Sequence, residues 1–307
     1  MVLRICGLVK FLNCNSKGIK FFIRMKKLKI FSLIVLLLVM FQQTARAGFP
    51  IGKGRWLLVP TYIHYSATGY WDDNRQLQSY TYSGKFTSNY FGLYGGYGIN
   101  RDLEFVFNVP YVIQTYSSTT IYQQNSNLGD VMLGLCYYLN HFDYYRHLSI
   151  TGSLIIPFYS NDTTTSTAYA KVPIGFGVFG IEAKLGYAGT IQGNFLHNCY
   201  YDLDAGIRQY FATQGPTQLF FDATFGVPLD QDWKASATLR GVTSSSSSTL
   251  STTNNSVNTN FDYIRGEIAI GRKVNRNVSF WGSLFTDLRG KDIGKGSGFS
   301  IFAVIKY

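Results

Sequence analysis

Residues 91–113 read FGLYGGYGINRDLEFVFNVPYVI, and the pattern in this stretch decides the fold. Leu103, Phe105, Phe107, Val109, Tyr111 and Ile113 place an apolar side chain at every second position, while Glu104, Asn108 and Gln114 take the other phase. A period of two means a strand with one face for hydrocarbon and one for water. Upstream, Phe91, Leu93, Tyr97 and Ile99 alternate with Gly92, Gly96 and Gly98 and run into Asn100-Arg101-Asp102, turn chemistry that joins two antiparallel strands by a minimal connection.

The same hairpin recurs. Val274-Asn275-Arg276-Asn277-Val278-Ser279-Phe280 restates Ile99-Asn100-Arg101-Asp102-Leu103-Glu104-Phe105, and Val227-Pro228-Leu229-Asp230-Gln231-Asp232-Trp233 is a looser third copy. Repeated hairpins with one kind of short turn describe an all-β chain, an up-and-down antiparallel barrel in which closure removes the exposed sheet edges. The period-2 segments fall at residues 55–65, 90–99, 103–116, 129–139, 147–159, 172–187, 200–211, 218–227, 233–242, 262–271, 277–288 and 297–307, which makes twelve strands. The phase of 172–187 slips around Val178-Phe179-Gly180, so this segment holds either a bulge or a missed hairpin that would raise the count to fourteen.

Residues 25–47 carry a basic start (Lys26, Lys27, Lys29), an apolar run over 30–41 and Ala45-Arg46-Ala47, the parts of a cleavable signal peptide. The expected organisation is therefore an upstream extension over 1–24 from a start codon chosen in error, a signal peptide over 25–47, and a barrel over 48–307. The first 47 residues hold nine of the 28 Lys and Arg and none of the 17 acids, so the rest carries a net charge of about +2 where the whole chain has +11. The basic footprint that nucleic-acid binding requires disappears with the leader. The remainder is rich in Tyr, Phe, Gly, Ser, Thr and Asn, as expected when strands alternate between a lipid face and a polar lumen.

The connections sort into two kinds. Residues 67–89, 117–128, 160–171 and 243–260 are long and polar, whereas 100–102, 228–232 and 274–276 are short; outer-membrane barrels put the long ones outside and the short ones in the periplasm. A periplasmic N-terminus and twelve strands put each on its proper side. The last strand ends Phe299, Ile301, Ala303, Ile305, Tyr307, alternate residues closing on an aromatic, which resembles the C-terminal signal read by the barrel-assembly machinery.

Three segments together, Gly98 to Phe105 followed by Val109-Pro110-Tyr111, then Leu128-Gly129-Asp130-Val131-Met132-Leu133-Gly134-Leu135, then Ile155-Ile156-Pro157, resemble the "MetA-pathway of phenol degradation" family of outer-membrane proteins. The resemblance is strongest over residues 90–158 and departs after the fifth strand, where Asn161-Asp162 lacks the family's usual glycine. It implies an outer-membrane channel for small hydrophobic or aromatic solutes, working by passive diffusion without a cofactor.

The inward phase supplies Glu104, Asp130, Glu182, Asp202, Asp204, Asp222 and Glu267 against Lys184, Arg208, Lys234, Arg240 and Arg265. Such a set either lines a water-filled path and tunes its selectivity or interlocks into ion pairs that plug it. The histidines, His64, His141, His147 and His197, fall near strand ends in this reading; His64 with Asp72 and Asp73 is the best catalytic candidate, and no nucleophile stands beside an oriented base. No metal-ligand spacing forms. Cys136 and Cys199 lie on strands three apart, too far for a bond, so two free thiols are expected. Tyr62/Tyr65/Tyr70, Tyr80/Tyr82/Tyr90 and Tyr137/Tyr138/Tyr144/Tyr145 read first as an aromatic girdle and second as a stacking track for solutes. The partners implied are outer-membrane lipid and the assembly machinery, with the chain acting as a monomer.

Overall fold

The computed structural model describes residues 50–143, 145–159, 172–191, 198–211, 215–246, 250–251, 256–257 and 259–307. The proposed extension and signal peptide lie outside them. Twelve long strands close on themselves: β1 (Trp56–Trp71), β2 (Lys85–Gly98), β3 (Leu103–Ser117), β4 (Asp130–Asp143), β5 (Arg146–Pro157) and β6 (Gly180–Ile191), then β7 (Cys199–Tyr210), β8 (Thr217–Pro228), β9 (Trp233–Ser245), β10 (Phe261–Lys273), β11 (Val278–Lys291) and β12 (Ile293–Lys306). Each pairs antiparallel with its neighbours in chain order, and β12 returns to β1 through register partners such as Leu58 with Ile305 and His64 with Phe299. Two short strands, Leu77–Ser79 and Tyr122–Leu128, extend β1 and β3 at the loop end of the barrel.

The three related turns are built alike. Asn100 Oδ1 accepts the N–H groups of Asp102 and Leu103 at 2.8 Å each, Asn275 Oδ1 accepts those of Asn277 and Val278 at 2.8 and 2.9 Å, and Asp230 Oδ1 accepts those of Asp232 and Trp233 at 2.7 Å each. A side-chain oxygen two or three residues ahead of the strand satisfies backbone donors that would otherwise face the turn unpaired. The N–H groups of Trp233 and Asp232 hold the exposed Asp230 carboxyl below the usual range.

The outward phase is apolar. Leu133, Leu135, Leu154, Ile268, Leu284 and Ile301 are exposed on the outer face, and Trp56 with Tyr97 (ring centroids 4.7 Å apart) and Trp233 under Arg272 (5.5 Å) stand near the turn end. An exposed belt of this kind needs hydrocarbon as its solvent. Among the described residues no helix is long and apolar enough to cross a membrane, so the strands do the crossing. Phe299, Ile301, Ala303 and Ile305 share the outward phase, and the Tyr307 backbone exchanges hydrogen bonds with Trp56 at 2.9 and 3.0 Å, completing the seam.

Two expectations need correction. Residues 172–179 are not strand; β6 begins at Gly180 and pairs directly with β5, so the slipped phase marks neither a bulge nor a hairpin inserted in the wall. The strands at the loop end are also longer than their hydrophobic pattern, because β1, β2, β11 and β12 continue pairing past the apolar belt; only Asp292 separates β11 from β12. Backbone pairing does not require apolar side chains once the wall has left the lipid.

Candidate functional site

The lumen holds two adjoining chambers of about 830 and 630 Å³, which share Val59, Tyr200, Asp202, Arg240, Val304 and Lys306 as common wall. Ten of the twelve charged residues of the inward phase line these chambers, all but Asp130 and Arg265. Four of the cations lie flat on the wall, paired with a carboxylate of the adjacent strand: Lys184 with Asp204 at 2.7 Å, Arg208 with Glu182 at 2.5 Å, Arg240 with Asp222 at 2.6 Å and Arg265 with Asp287 at 2.7 Å. Three of these are direct register partners (Glu182 with Arg208, Asp222 with Arg240, Arg265 with Asp287), so cross-strand geometry makes the pairs. The members of three of these pairs line the larger chamber, and Arg265 with Asp287 lies outside both. Asp130 accepts the Tyr159 hydroxyl at 2.9 Å, while Asp202 and Glu267 line the chambers with no ion pair among the described residues.

Glu104 serves a different purpose. It is 4 % exposed, and its carboxylate accepts the N–H groups of Ile51 and Gly52 and, at 3.3 Å, the Tyr138 hydroxyl. Residues 50–55 therefore fold back into the turn end of the lumen, where Ile51 lines the larger chamber and Gly54 N donates to Gly98 O at 2.7 Å. Gly52 and Gly54 take positive φ (85° and 73°) to make the reversal. The strand opposite leaves room for it, since a Cβ on Gly98 would sit 2.0 Å from Gly52 O and one on Gly96 would sit 2.5 Å from Ile51 Cδ1.

At the loop end, residues 172–179 fold inward. Gly177 N donates to the Tyr159 hydroxyl at 3.1 Å, Phe176 packs edge-on against Tyr210 at 4.8 Å, and Asn125 Nδ2 donates to Val172 O at 2.9 Å. Tyr65 packs against Phe86 and Phe285, and Tyr80 edge-on against Tyr116, with the Arg265 guanidinium 4.6 Å from the Phe285 ring and the Tyr65 hydroxyl donating to Asp287 at 3.0 Å. The girdle reading consequently divides. Tyr62 and Tyr137 face outward, whereas Tyr65, Tyr90 and Tyr138 face the lumen, because odd and even positions of one tyrosine cluster fall on opposite faces of a strand.

Periodicity alone missed the inner segment 50–55, Asp287, Lys273 and Lys306. The glycines Gly92, Gly96 and Gly98 on one phase carried a signal of close backbone approach. Asp287 shares the phase of Ser283 and Trp281, and Lys306 lies between Ile305 and Tyr307 on the inward phase of the last segment, whereas Lys273 sits two residues past the end of 262–271. The catalytic candidate is not assembled: His64 lies well inside β1, on the outward face, where Nδ1 is 2.9 Å from Asn89 Oδ1 and the ring packs on Phe299. Asp72 instead organises its own loop, its carboxyl held below the usual range by the Gln76 N–H, the Gln78 side chain and the Asn74 N–H. His147 is buried in the lumen wall; the side chains of His141 and His197 lie outside the described residues. Cys136 and Cys199 are buried free thiols.

No family model and no curated protein matches the sequence. In structure the chain is similar to the COG4313 outer membrane channel from Pseudomonas putida F1, with a TM-score of 0.64 and 15 % identity over 83 % of this chain and 96 % of that one. The NanC porin (TM-score 0.46, 7 % identity, 81 % and 98 % covered) and the translocator domain of the autotransporter NalP from Neisseria meningitidis (0.45, 10 %, 95 % and 97 %) align less well. The barrel implied by the family resemblance is the fold observed. Closure, apolar belt and this likeness place the chain in the bacterial outer membrane.

Proposed function

We propose that the barrel is a passive, non-enzymatic channel for small hydrophobic or aromatic solutes, acting as a monomer with its turn end in the periplasm. The observation that carries this reading is the pair of adjoining chambers: each has the volume of a small-molecule site, and their walls mix Leu57, Val106, Met132, Trp281 and Phe302 with the wall-lying ion pairs. Polar groups that satisfy one another along the wall leave apolar surface free to receive an apolar solute. The likeness to a protein described as an outer membrane channel supports the same reading. The outward, aromatic-ended β12 is the surface through which the assembly machinery would recognise the chain, and residues 25–47 would be removed on export.

The test is uptake into vesicles whose outer leaflet is lipopolysaccharide, a barrier that phospholipid bilayers do not present to apolar solutes. Vesicles containing the barrel should admit benzyl alcohol and naphthalene faster than empty ones, and glucose no faster. Equal uptake with and without the protein would leave a closed structural barrel as the better account.

A further inference from the structure

The outer wall carries an apolar groove of about 720 Å³ on its lipid face, over β8 to β12. Along β9 its floor is Ala235 and Ala237, and register sets a large side chain on each side of both: Val227 and Ile270 beside Ala235, Phe225 and Ile268 beside Ala237. Trp233 and Leu239, the next outward residues of β9, are exposed and bound it at the turn end and towards the middle of the membrane. From Trp233 to Leu239 the strand rises about 20 Å, or about 15 Å along the membrane normal at the usual barrel tilt. That is half of a hydrocarbon core of ~30 Å, the depth of one leaflet. Pairing of β9 with β10 and of β10 with β11 is unbroken through this stretch, so the groove is a depression in a closed wall and no side exit from the lumen.

Arg272, the outward residue after Ile270 on β10, stands just beyond the turn end of the groove, its guanidinium 5.5 Å from the Trp233 ring and Phe280 its register partner on β11. It is exposed and forms no ion pair with any described carboxylate. Arg276 and Asp230 lie in the adjoining turns; Asp230 is within electrostatic reach of Arg272, but its Oδ1 accepts the N–H groups of Asp232 and Trp233. Lys234, Lys273 and Asp232, from the same strand ends, line the lumen instead. An arginine at a strand end often does no more than reach for water. Here it caps a groove one leaflet deep, and a guanidinium offers a phosphate two parallel N–H donors. A second copy of the barrel would bring a convex wall to a groove one strand wide, which a single hydrocarbon chain fills better. We propose that the groove is a binding site for a glycerophospholipid of the leaflet at the turn end, with one acyl chain along Ala235 and Ala237 and the phosphate on Arg272. The site lies outside the lumen and stands independently of the channel reading.

Binding is read by native mass spectrometry of the barrel in detergent, titrated with dioleoyl phosphatidylglycerol or with dioleoylglycerol, which has the same chains and no phosphate. The phospholipid should bind about tenfold more tightly. Arg272→Gln should remove that advantage and leave dioleoylglycerol unchanged, whereas Ala235→Leu/Ala237→Leu, which fills the groove, should weaken both lipids about tenfold. Gly152→Leu adds the same side chain to the lipid face of β5, where a Cβ meets nothing within 4 Å, and should change neither. Heat-modifiable migration shows that each variant has folded. The proposal is overturned if phosphatidylglycerol binds no more tightly than dioleoylglycerol, or if the filled groove binds it as the parent does. A barrel that runs as a dimer, and as a monomer once the groove is filled, would overturn it too and give the groove to a second copy of the chain.

Discussion

Replacing Glu104 by Ala should open the turn end of the barrel. Its buried carboxylate accepts two backbone N–H groups, from Ile51 and Gly52, and a third hydrogen bond from Tyr138, and these hold residues 50–55 inside the lumen. A hydrogen bond to a charged group contributes roughly 1.5–3 kcal/mol. Losing the two backbone contacts therefore weakens the inserted state by about 3 kcal/mol, and at 1.4 kcal/mol per factor of ten its equilibrium against release shifts by about a hundredfold. This takes the low end of the range for each bond, since the freed N–H groups regain water. In planar bilayers Glu104→Ala should show a severalfold larger conductance than the parent, and a cysteine placed at Ile51 should react with a bulky water-soluble maleimide much faster. Glu104→Gln, which keeps one acceptor oxygen and loses the charge, should fall between. An Ile51 cysteine equally protected in all three proteins, with equal conductance, would refute the idea that this carboxylate anchors the segment.

Three further outcomes follow from the same geometry. Gly98→Val puts a side chain where Gly52 O now sits and should raise conductance as Glu104→Ala does, while heat-modifiable migration stays intact. Arg208→Ala, Arg240→Ala and Arg265→Ala each strip the partner from an inward carboxylate and should shift the reversal potential towards cations, whereas Leu133→Ala on the outer face should leave it unchanged. Ile268→Lys, in the middle of β10 and facing outward, should destabilise the folded barrel by roughly 2–4 kcal/mol in urea titrations from vesicles, the cost of a cation near the bilayer midplane.

What the sequence makes legible is the wall. Period-2 alternation separates Leu103, Phe105 and Phe107 from Glu104, Val106 and Asn108 with no knowledge of the partner strands, and the Asn100, Asp230 and Asn275 turns announce themselves by residue type. The contents of the lumen are less visible. Residues 50–55 and 172–179 pack on wall residues such as Gly98 and Glu104 for the first and Tyr159 and Tyr210 for the second, so little marks them in the sequence except glycines on the facing strand and a broken phase at 178–180. The ion pairs lie between these extremes: the inward phase names their members, but which cation meets which carboxylate depends on register, and the partner of Arg265 depends on a register shift between Ile264 and Arg265. The tyrosines show the same limit. Composition says that many are present, and only the parity of each position divides Tyr62 from Tyr65.

The central claim is that apolar solutes occupy a lumen lined by the inward phase, and substituted-cysteine labelling in a background with Cys136 and Cys199 replaced by Ser tests it most directly. Thr224→Cys and Ser236→Cys, which line the smaller chamber, should react with a water-soluble methanethiosulfonate reagent and be shielded by an aromatic solute such as benzyl alcohol. Phe225→Cys and Ala237→Cys, one residue further along each strand and on the lipid face, should show neither reaction nor shielding. Equal labelling of both pairs, or inward cysteines that react and are never shielded, would contradict the account.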